Sequence, residues 1–443
     1  AATQDREMVA ALGVDQSRLF TSVFFLGAVL AGLGGALQLP RASVHLGMDF
    51  QIIAEAFVVV VVGGMGSVAG AFLAALLIAQ LGAFGILIFP KITLVLVFLV
   101  MAVVLVVRPY GLLGKPPVHQ RAATGGQEPV IRAAPTALKL LGLVALALAI
   151  ALPPFLGDYT VSVLTEIALF VLFAASLHFI MGPGGMASFG HAAYFGLGAY
   201  GAALAAKFLM APMGVGLILA PLMAGLAGVV FGYFCVRLSG VYLAMLTLAF
   251  AQICWSVTFQ WVEVTGGDNG VLGVWPPDWA RGKLSFYYLT LLLCVALTLL
   301  LRRVIRSPFG YALRAGRDSP LRAEAVGIDV MRVQWAGFVV AAAAAGVAGG
   351  LFAYLKGSVF PTYISIPKSV DALLMVLLGG VQTVSGPIVG AVIYAGLHEH
   401  LVRVTEYWRL VLGLAIVGLV LAFPQGLAGF AAQRWEAKRG EPR

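Results

Sequence analysis

Few side chains in this sequence combine a type and a spacing that could do chemistry. Two carboxylates, Glu55 and Glu166, interrupt long apolar runs, and His191 follows Ser188 in the stretch GPGGMASFGHAAYFGLGAYGAA at 182–203. A proton relay across a membrane would need a chain of such groups, and two separated carboxylates do not make one. Cys235, Cys254 and Cys294 lie in or beside apolar runs without metal-ligand spacing, as packing thiols do. No Gly-x-x-x-x-Gly-Lys-[Ser/Thr] occurs; GLLGKPP and RGKLS both miss the spacing that cradles a nucleotide phosphate. No nucleophile–base pair is suggested either. The sequence therefore assigns no catalytic residue, no metal and no cofactor to this chain, which does not read as an enzyme.

The elements that carry these residues explain why. Hydrophobic residues make up 61% of the chain and charged residues 11%, with a mean hydropathy of +0.99. A soluble domain carries about 25% charged residues, and apolar runs of about 20 residues read as transmembrane helices. The fold class is an all-α polytopic membrane protein. An outer-membrane barrel would show weak alternating segments of about ten residues, and none occur. The net charge of +9 comes from Lys and Arg gathered in particular loops, a topological signal rather than a nucleic-acid one.

Apolar spans run over 19–38, 52–79, 92–107, 138–152, 161–181, 189–206, 214–236, 241–260, 285–301, 335–355, 370–397 and 409–423. The stretch 114–136 differs in kind: it is rich in Pro, Gly, Ala and polar residues, lacks periodicity and reads as a linker. It separates two modules, 1–113 and 137–443, that repeat one another in parallel tandem. ALGVDQSR (11–18) matches AVGIDVMR (325–332), with Gly327 following Gly13 by 314 residues. GGMGSVAG (63–70) matches GGVQTVSG (379–386) at 316, and RPYGLLG (108–114) matches FPQGLAG (423–429) at 315. The first module lacks a counterpart of 136–317, so the expectation is an N-terminally truncated piece of a longer duplicated chain.

Arginines and lysines assign the 302–332 loop, the linker and the C-terminal tail to the cytoplasm. Span 370–397 must then start and finish outside. Its roughly 28 residues would cover about 42 Å as helix, too short for two crossings. A re-entrant pair of half-helices, meeting at membrane depth across Gly379–Pro387, satisfies the count, and the first module gives the same parity across Gly63–Gly70. Such breaks are tolerated only where the backbone is buried in protein or lines a cavity. The candidates for a translocation path are therefore Gly63, Gly64, Gly66, Gly379, Gly380 and Gly386, with Ser188, His191 and Tyr194.

Each motif also has a plainer reading. Gly184, Ser188, Ala192 and Gly196 recur every four residues, and a smooth face of this kind serves close helix–helix packing. His191 is either an interhelical hydrogen-bond donor or a substrate or gate residue. In TGGDNG (265–270), turn chemistry accounts for the glycines and Asn269, while Trp261, Trp275 and Trp279 suit interfacial anchoring. The functional alternative makes Gly266, Gly267 and Asn269 an external gate or docking element.

The charged islet GYALRAGRDSPLRAEAVGIDV (310–330) stands out against its apolar flanks. A topogenic loop explains its arginines but not its matching ending in the first module. A short helix at the cytoplasmic mouth, presented to a partner, explains both.

At this point the sequence resembles a known family. MGPGGMASFGHAAYFGLGAY (181–200), YLAMLTLAFAQI (242–253), TGGDNG and SPFGYALRAGRDSPLRAEAVGID (307–329) are similar to the M-type permease subunit of branched-chain amino-acid ABC importers. Residues 4–113, with QDREMVAALGVD and GGMGSVAGAFLAALL, resemble the C-terminal part of the H-type subunit. The resemblance implies two subunits fused, a complete M-type module at 137–443 and an incomplete H-type module at 1–113. It also implies coupling helices that dock into two cytoplasmic ATPase subunits. These helices carry onto 3–15, with Arg6, Glu7, Leu12 and Gly13, and onto 311–327, with Arg314, Arg317, Asp318, Arg322, Glu324 and Gly327. ATP and Mg would be bound by those partners, an external substrate-binding protein would deliver the solute, and the setting would be a bacterial inner membrane. Branched-chain or related small amino acids lead as the solute. Urea or amide transport is the alternative within the family, and a secondary transporter with parallel repeats the alternative outside it.

Overall fold

The computed structural model describes residues 6–40, 43–45, 47–88, 93–114 and 136–438. Most of the 114–136 linker and residues 3–5 of the first coupling segment lie outside the described residues. So do the side chains of Arg6 and Glu7, whose backbone is helical. The first repeat supplies α1 (Arg6–Ala11), α2 (Gln16–Gln38), α3 (Met48–Gly63), α4 (Val68–Ile88) and α5 (Thr93–Val107). After the linker come α6 (Thr136–Ala151), α7 (Asp158–Met181), α8 (Ala192–Phe208), α9 (Met213–Cys235), α10 (Gly240–Gln260), α11 (Val262–Thr265) and α12 (Lys283–Ile305). The islet forms α13 (Pro308–Asp318) and α14 (Pro320–Ala325), followed by α15 (Val330–Lys356), α16 (Ile366–Gly379), α17 (Gly386–Val404), α18 (Trp408–Ala422) and α19 (Leu427–Lys438). The strands among the described residues, β1 (Val271–Leu272) and β2 (Ser358–Val359), make one short antiparallel pair. Eight of the described helices are long and apolar enough to cross a membrane, so the all-α polytopic reading holds.

The repeat is visible in local geometry. Asp15 caps α2 by accepting from Arg18 N at 3.2 Å, and Asp329 caps α15 by accepting from Arg332 N at 3.0 Å. Before each cap stands a glycine in the left-handed region, Gly13 at φ +82° and Gly327 at φ +89°. A side-chain cap of this kind satisfies one of the orphan N–H groups of the first turn. Matched turns also close the other two blocks: Ser67 N donates to Gly64 O at 3.1 Å, as Thr383 N does to Gly380 O at 3.2 Å, and Gly111 N donates to Arg108 O at 2.9 Å, as Gly426 N does to Phe423 O at 2.8 Å.

The chain divides into two compact units, residues 1–57 with 115–128 and residues 58–114 with 129–443. These units do not follow the sequence modules, because residues 58–114 fold onto the second module: α5 packs along α10, and Tyr110 meets Tyr242 edge-on with ring centroids 5.9 Å apart. Within this second unit α15 is the central element, packed on α7, α8 and α9. The helical face foreseen over Gly184, Ser188, Ala192 and Gly196 forms only in part, because Gly184 and Ser188 lie in irregular chain before α8 begins at Ala192; the closest backbone approaches fall on other glycines. Gly198 lies on the Gly346 backbone and Gly349 on the Phe195 carbonyl, positions where a Cβ would collide.

The hairpin α16–α17 departs from expectation in one respect. Its tip is not at mid-depth. Val381 at the tip accepts from His178 near the C-terminal end of α7, and Gly380 abuts Gln425 and Gly426 after α18. The tip thus stands at the end of the bundle where the islet lies. The start of α16 is the internal break instead: Ser369, in its first turn, caps Ala192 at the start of α8, and the preceding Ile364 fills the space over Gly196. From there α16 reaches the tip over 14 residues, about 21 Å, and α17 returns over 19, about 28 Å. The glycine break thus lies at the end of the bundle and not at mid-depth.

Candidate coupling and permeation site

The site is built where three pieces of backbone meet at the islet end of the second unit. α13 begins with Ser307 and Pro308, whose fixed φ suits a first helical turn. Its strongly amphipathic sequence turns Leu313 and Gly316 inward. Arg317, on the same helix, reaches across to donate from Nη1 to the Gly182 carbonyl at 2.8 Å. Asp318 holds the guanidinium from the side, accepting from Nε at 2.9 Å and Nη2 at 2.8 Å. Gly182 caps α7, and Gly185 (φ +65°) lies against the Arg317 stem, where any side chain would collide. His178, one turn earlier, donates from Nε2 to Val381 O at 2.8 Å. One cluster of hydrogen bonds thereby joins the islet, the end of α7 and the hairpin tip.

From Gly182 the chain leaves helix and runs irregularly, largely buried, to His191. Irregular backbone at such depth must find partners, and side chains from other helices supply them. Phe189 N donates to Thr247 Oγ1 at 3.1 Å, and Ala192 N to Ser369 Oγ at 3.0 Å. His191 is fully buried, stacked on Phe173 at 5.6 Å and edge-on to Tyr194 at 5.7 Å. The Ser176 hydroxyl donates to Phe173 O at 2.7 Å, so the 2.8 Å contact between Ser176 Oγ and His191 is a bond from His191 Nε2–H. That leaves His191 Nδ1 as an acceptor, and it and Ser188 Oγ are buried without a hydrogen-bond partner among the described residues. His191 thus makes one bond to α7 through Nε2, as the interhelical reading expects, and its Nδ1 is bare among the described residues.

At the tips of the two hairpins the glycines serve close crossing. Gly379 lies on Gly386, and Gly63 on Gly70, with no room for a Cβ in either pair. Gly64 (φ +98°) and Gly380 (φ +108°) turn the chain in conformations that L side chains rarely adopt. Gly66 adds a second left-handed residue to the first tip.

Comparison with known proteins places the chain in a family. The family model described as branched-chain amino acid transport system / permease component matches residues 1–105 and 159–420. The chain belongs to that permease family. Over 339 residues it is 29% identical to the high-affinity branched-chain amino acid transport system permease protein LivM of Escherichia coli (strain K12), covering 70% of this chain and 80% of that protein. A second similarity points to the other subunit type: 30% identity over 152 residues to the LivH permease protein assigned as probable in Methanocaldococcus jannaschii, 32% of this chain and 46% of that protein. Similarity to BraD of Pseudomonas aeruginosa (strain ATCC 15692) is 33% over 122 residues, 27% of this chain and 40% of that protein. No solved structure matches.

In this permease the remaining predicted residues separate into two groups. Arg314 turns inward, donating to Ile305 O at 3.0 Å and lying over the Tyr311 ring, so neither it nor Arg317 points away from the bundle. The outward face of the islet is instead Leu321, Arg322, Glu324 and Val326, with Leu321 80% and Val326 76% exposed. In the first repeat Leu12, the counterpart of Val326, is 72% exposed. At the far end, Gly266 (φ +79°) and Gly267 (φ +59°) form a tight turn held by Thr265, whose hydroxyl contacts Thr258 O at 2.6 Å. Gly270 sits against Val359 O and Phe360 where β1 pairs with β2, leaving Asp268 and Asn269 exposed.

Sequence reasoning missed His178, Lys368 and Asp371. The signal was available for the last two: Lys368 and Asp371 stand three residues apart at the head of an apolar run, which puts them on one helical face.

Proposed function

We propose that this chain is the membrane permease of an ATP-driven importer that moves branched-chain or related small amino acids across a bacterial inner membrane. The observation that carries this reading is the Arg317–Gly182 hydrogen bond. Through it, a surface helix is fastened to the first residue of the buried irregular segment, and through His178 to the hairpin tip. Two cytoplasmic ATPase subunits, which would bind ATP and Mg, dock on the outward faces of α1 and α14 and pull on these fastenings. The solute arrives at the opposite side from an external binding protein and passes between the two repeats by alternating access.

The family match supports the amino-acid assignment, since the relatives named above are branched-chain amino acid permeases. The fused organisation is supported by separate similarities to M-type and H-type relatives. The test is ATP-dependent uptake of radiolabelled leucine by inverted-orientation-controlled proteoliposomes holding this chain, its ATPases and its binding protein. Uptake that needs ATP and stops when ATP hydrolysis is blocked is the expected result. Uptake driven by an ion gradient without ATP would overturn the reading, and uptake of urea but not leucine would redirect it to amides.

A further inference from the structure

Between the middle of the second unit and its far end, α7, α16 and α17 line a partly open cavity of about 190 Å³. That is below the roughly 300–1,000 Å³ of sites for drug-sized ligands, and it suits a small metabolite. Its wall carries both signs of charge. Lys368 contributes an ammonium held 4.0 Å above the Phe170 ring and 5.3 Å from that of Phe352. It makes no ion pair within 4.0 Å among the described residues. Asp371, one turn along the same helix, is oriented by the Tyr394 hydroxyl at 2.5 Å. Glu166 faces them from α7 and is paired with Lys356 at 2.7 Å. The rest of the wall includes the aliphatic side chains of Val163 and Ile167.

A cation half-buried among aromatic rings is stabilised by their faces, and a carboxylate partner with its lone pairs hydrogen-bonded offsets the cost of leaving that charge unpaired. A carboxylate already fixed by a phenol can still accept from an ammonium through its remaining lone pairs. Cation, anion and aliphatic wall together match one chemical class. We propose that this cavity binds a zwitterionic aliphatic amino acid, its carboxylate toward Lys368, its ammonium toward Asp371 and Glu166, and its side chain along Val163 and Ile167. The proposal rests on the permease reading above and names where in the membrane domain the solute is recognised. The register of the repeat adds weight: Glu55 precedes Gly63 by eight residues, as Asp371 precedes Gly379, so an acid recurs at this position, whereas Lys368 is matched by Ile52. One repeat carries the cation that selects the carboxylate.

The experiment is equilibrium binding of radiolabelled leucine to the full chain in nanodiscs, with leucinamide and 4-methylpentanoate as competitors. Leucinamide lacks the carboxylate and 4-methylpentanoate the ammonium. On the wild-type chain leucine should outcompete both by tenfold or more. Lys368→Met should weaken leucine at least tenfold and leucinamide less than twofold. Asp371→Asn should weaken leucine while sparing 4-methylpentanoate, and Lys368→Arg should stay within about threefold of wild type. Leucine binding within twofold of wild type in both Lys368→Met and Asp371→Asn overturns the proposal. If those variants do not yield monodisperse protein, equal competition by all three ligands on the wild-type chain overturns it as well. The uptake assay keeps the two readings apart: ATP-dependent leucine uptake with indifferent variants removes the cavity alone, whereas its loss in the wild-type assembly removes the permease reading.

Discussion

The hairpin α3–α4 and the hairpin α16–α17 are built alike at the tip and differently along the arms. Both cross where two glycines meet, both turn on a glycine at φ near +100°, and both tips are closed by a left-handed glycine from the turn after the following helix, Gly111 after α5 or Gly426 after α18. In the first, Leu112 N and Leu113 N donate to Val62 O and Gly63 O at 2.8 and 3.1 Å; in the second, Gly426 presses on Gly379 and Gly380. The arms are another matter. The second carries Lys368, Asp371, Tyr394, His398 and Glu399 around a cavity, while the first has Asp49, Gln51 and Glu55 in its leading helix and no cation there. Duplication kept the mechanical part and let the charged part diverge.

The largest test of that comparison is at the tips. Gly380→Val and Gly64→Val each force a β-branched side chain into a disfavoured backbone conformation and into neighbouring backbone, at 2.6 Å from Gln425 O in the first case. Each should cost on the order of 3 kcal/mol or more, read as a loss of monodisperse protein or a fall in unfolding temperature. Damage from one variant only would break the equivalence of the tips. Next comes the fastening to the islet. Arg317→Met removes a hydrogen bond from a charged donor to Gly182, worth about 1.5–3 kcal/mol. It should lower leucine uptake at least tenfold while the ATPases still co-purify, because the exposed Leu321 and Val326 are untouched. Loss of co-purification would mean that Arg317 itself contacts the partner.

A smaller effect separates the arms. Glu55→Gln should change leucine affinity less than twofold where Asp371→Asn changes it several-fold, and equal effects would make the two arms functionally equivalent. The smallest effect lies in the caps. Asp15→Ala and Asp329→Ala should each cost about 1 kcal/mol of stability, seen as similar small shifts in unfolding temperature.

Much of this was legible in the sequence, for physical reasons. Apolar run length gave the helices, and glycines at matching offsets gave the repeat, because a left-handed turn or a backbone crossing admits little else. What stayed hidden depends on which way a side chain turns. The charged islet identified a short helix presented to a partner, but only packing reveals that Arg314 and Arg317 both bend back to carbonyls of the bundle. The start of α16 at the middle of the unit left no mark in composition, since Ser369 and Ile364 become partners of α8 only after folding. Asp371 was passed over because its apolar neighbours dominate any window around it. The Gly379–Gly386 break was found, but its depth was set by where α7 ends, and sequence does not measure that.

Ser369 has a neighbour on each side that matters. It holds the first amide of α8, and it sits one residue from Lys368 and two from Asp371. A single turn of α16, about 5.4 Å long, therefore serves as a clutch plate. Any load that shifts the cavity wall is felt at once by the bond that closes α8, and slack in that bond loosens the wall. Occupancy on one side and helix position on the other become two readings of the same dial.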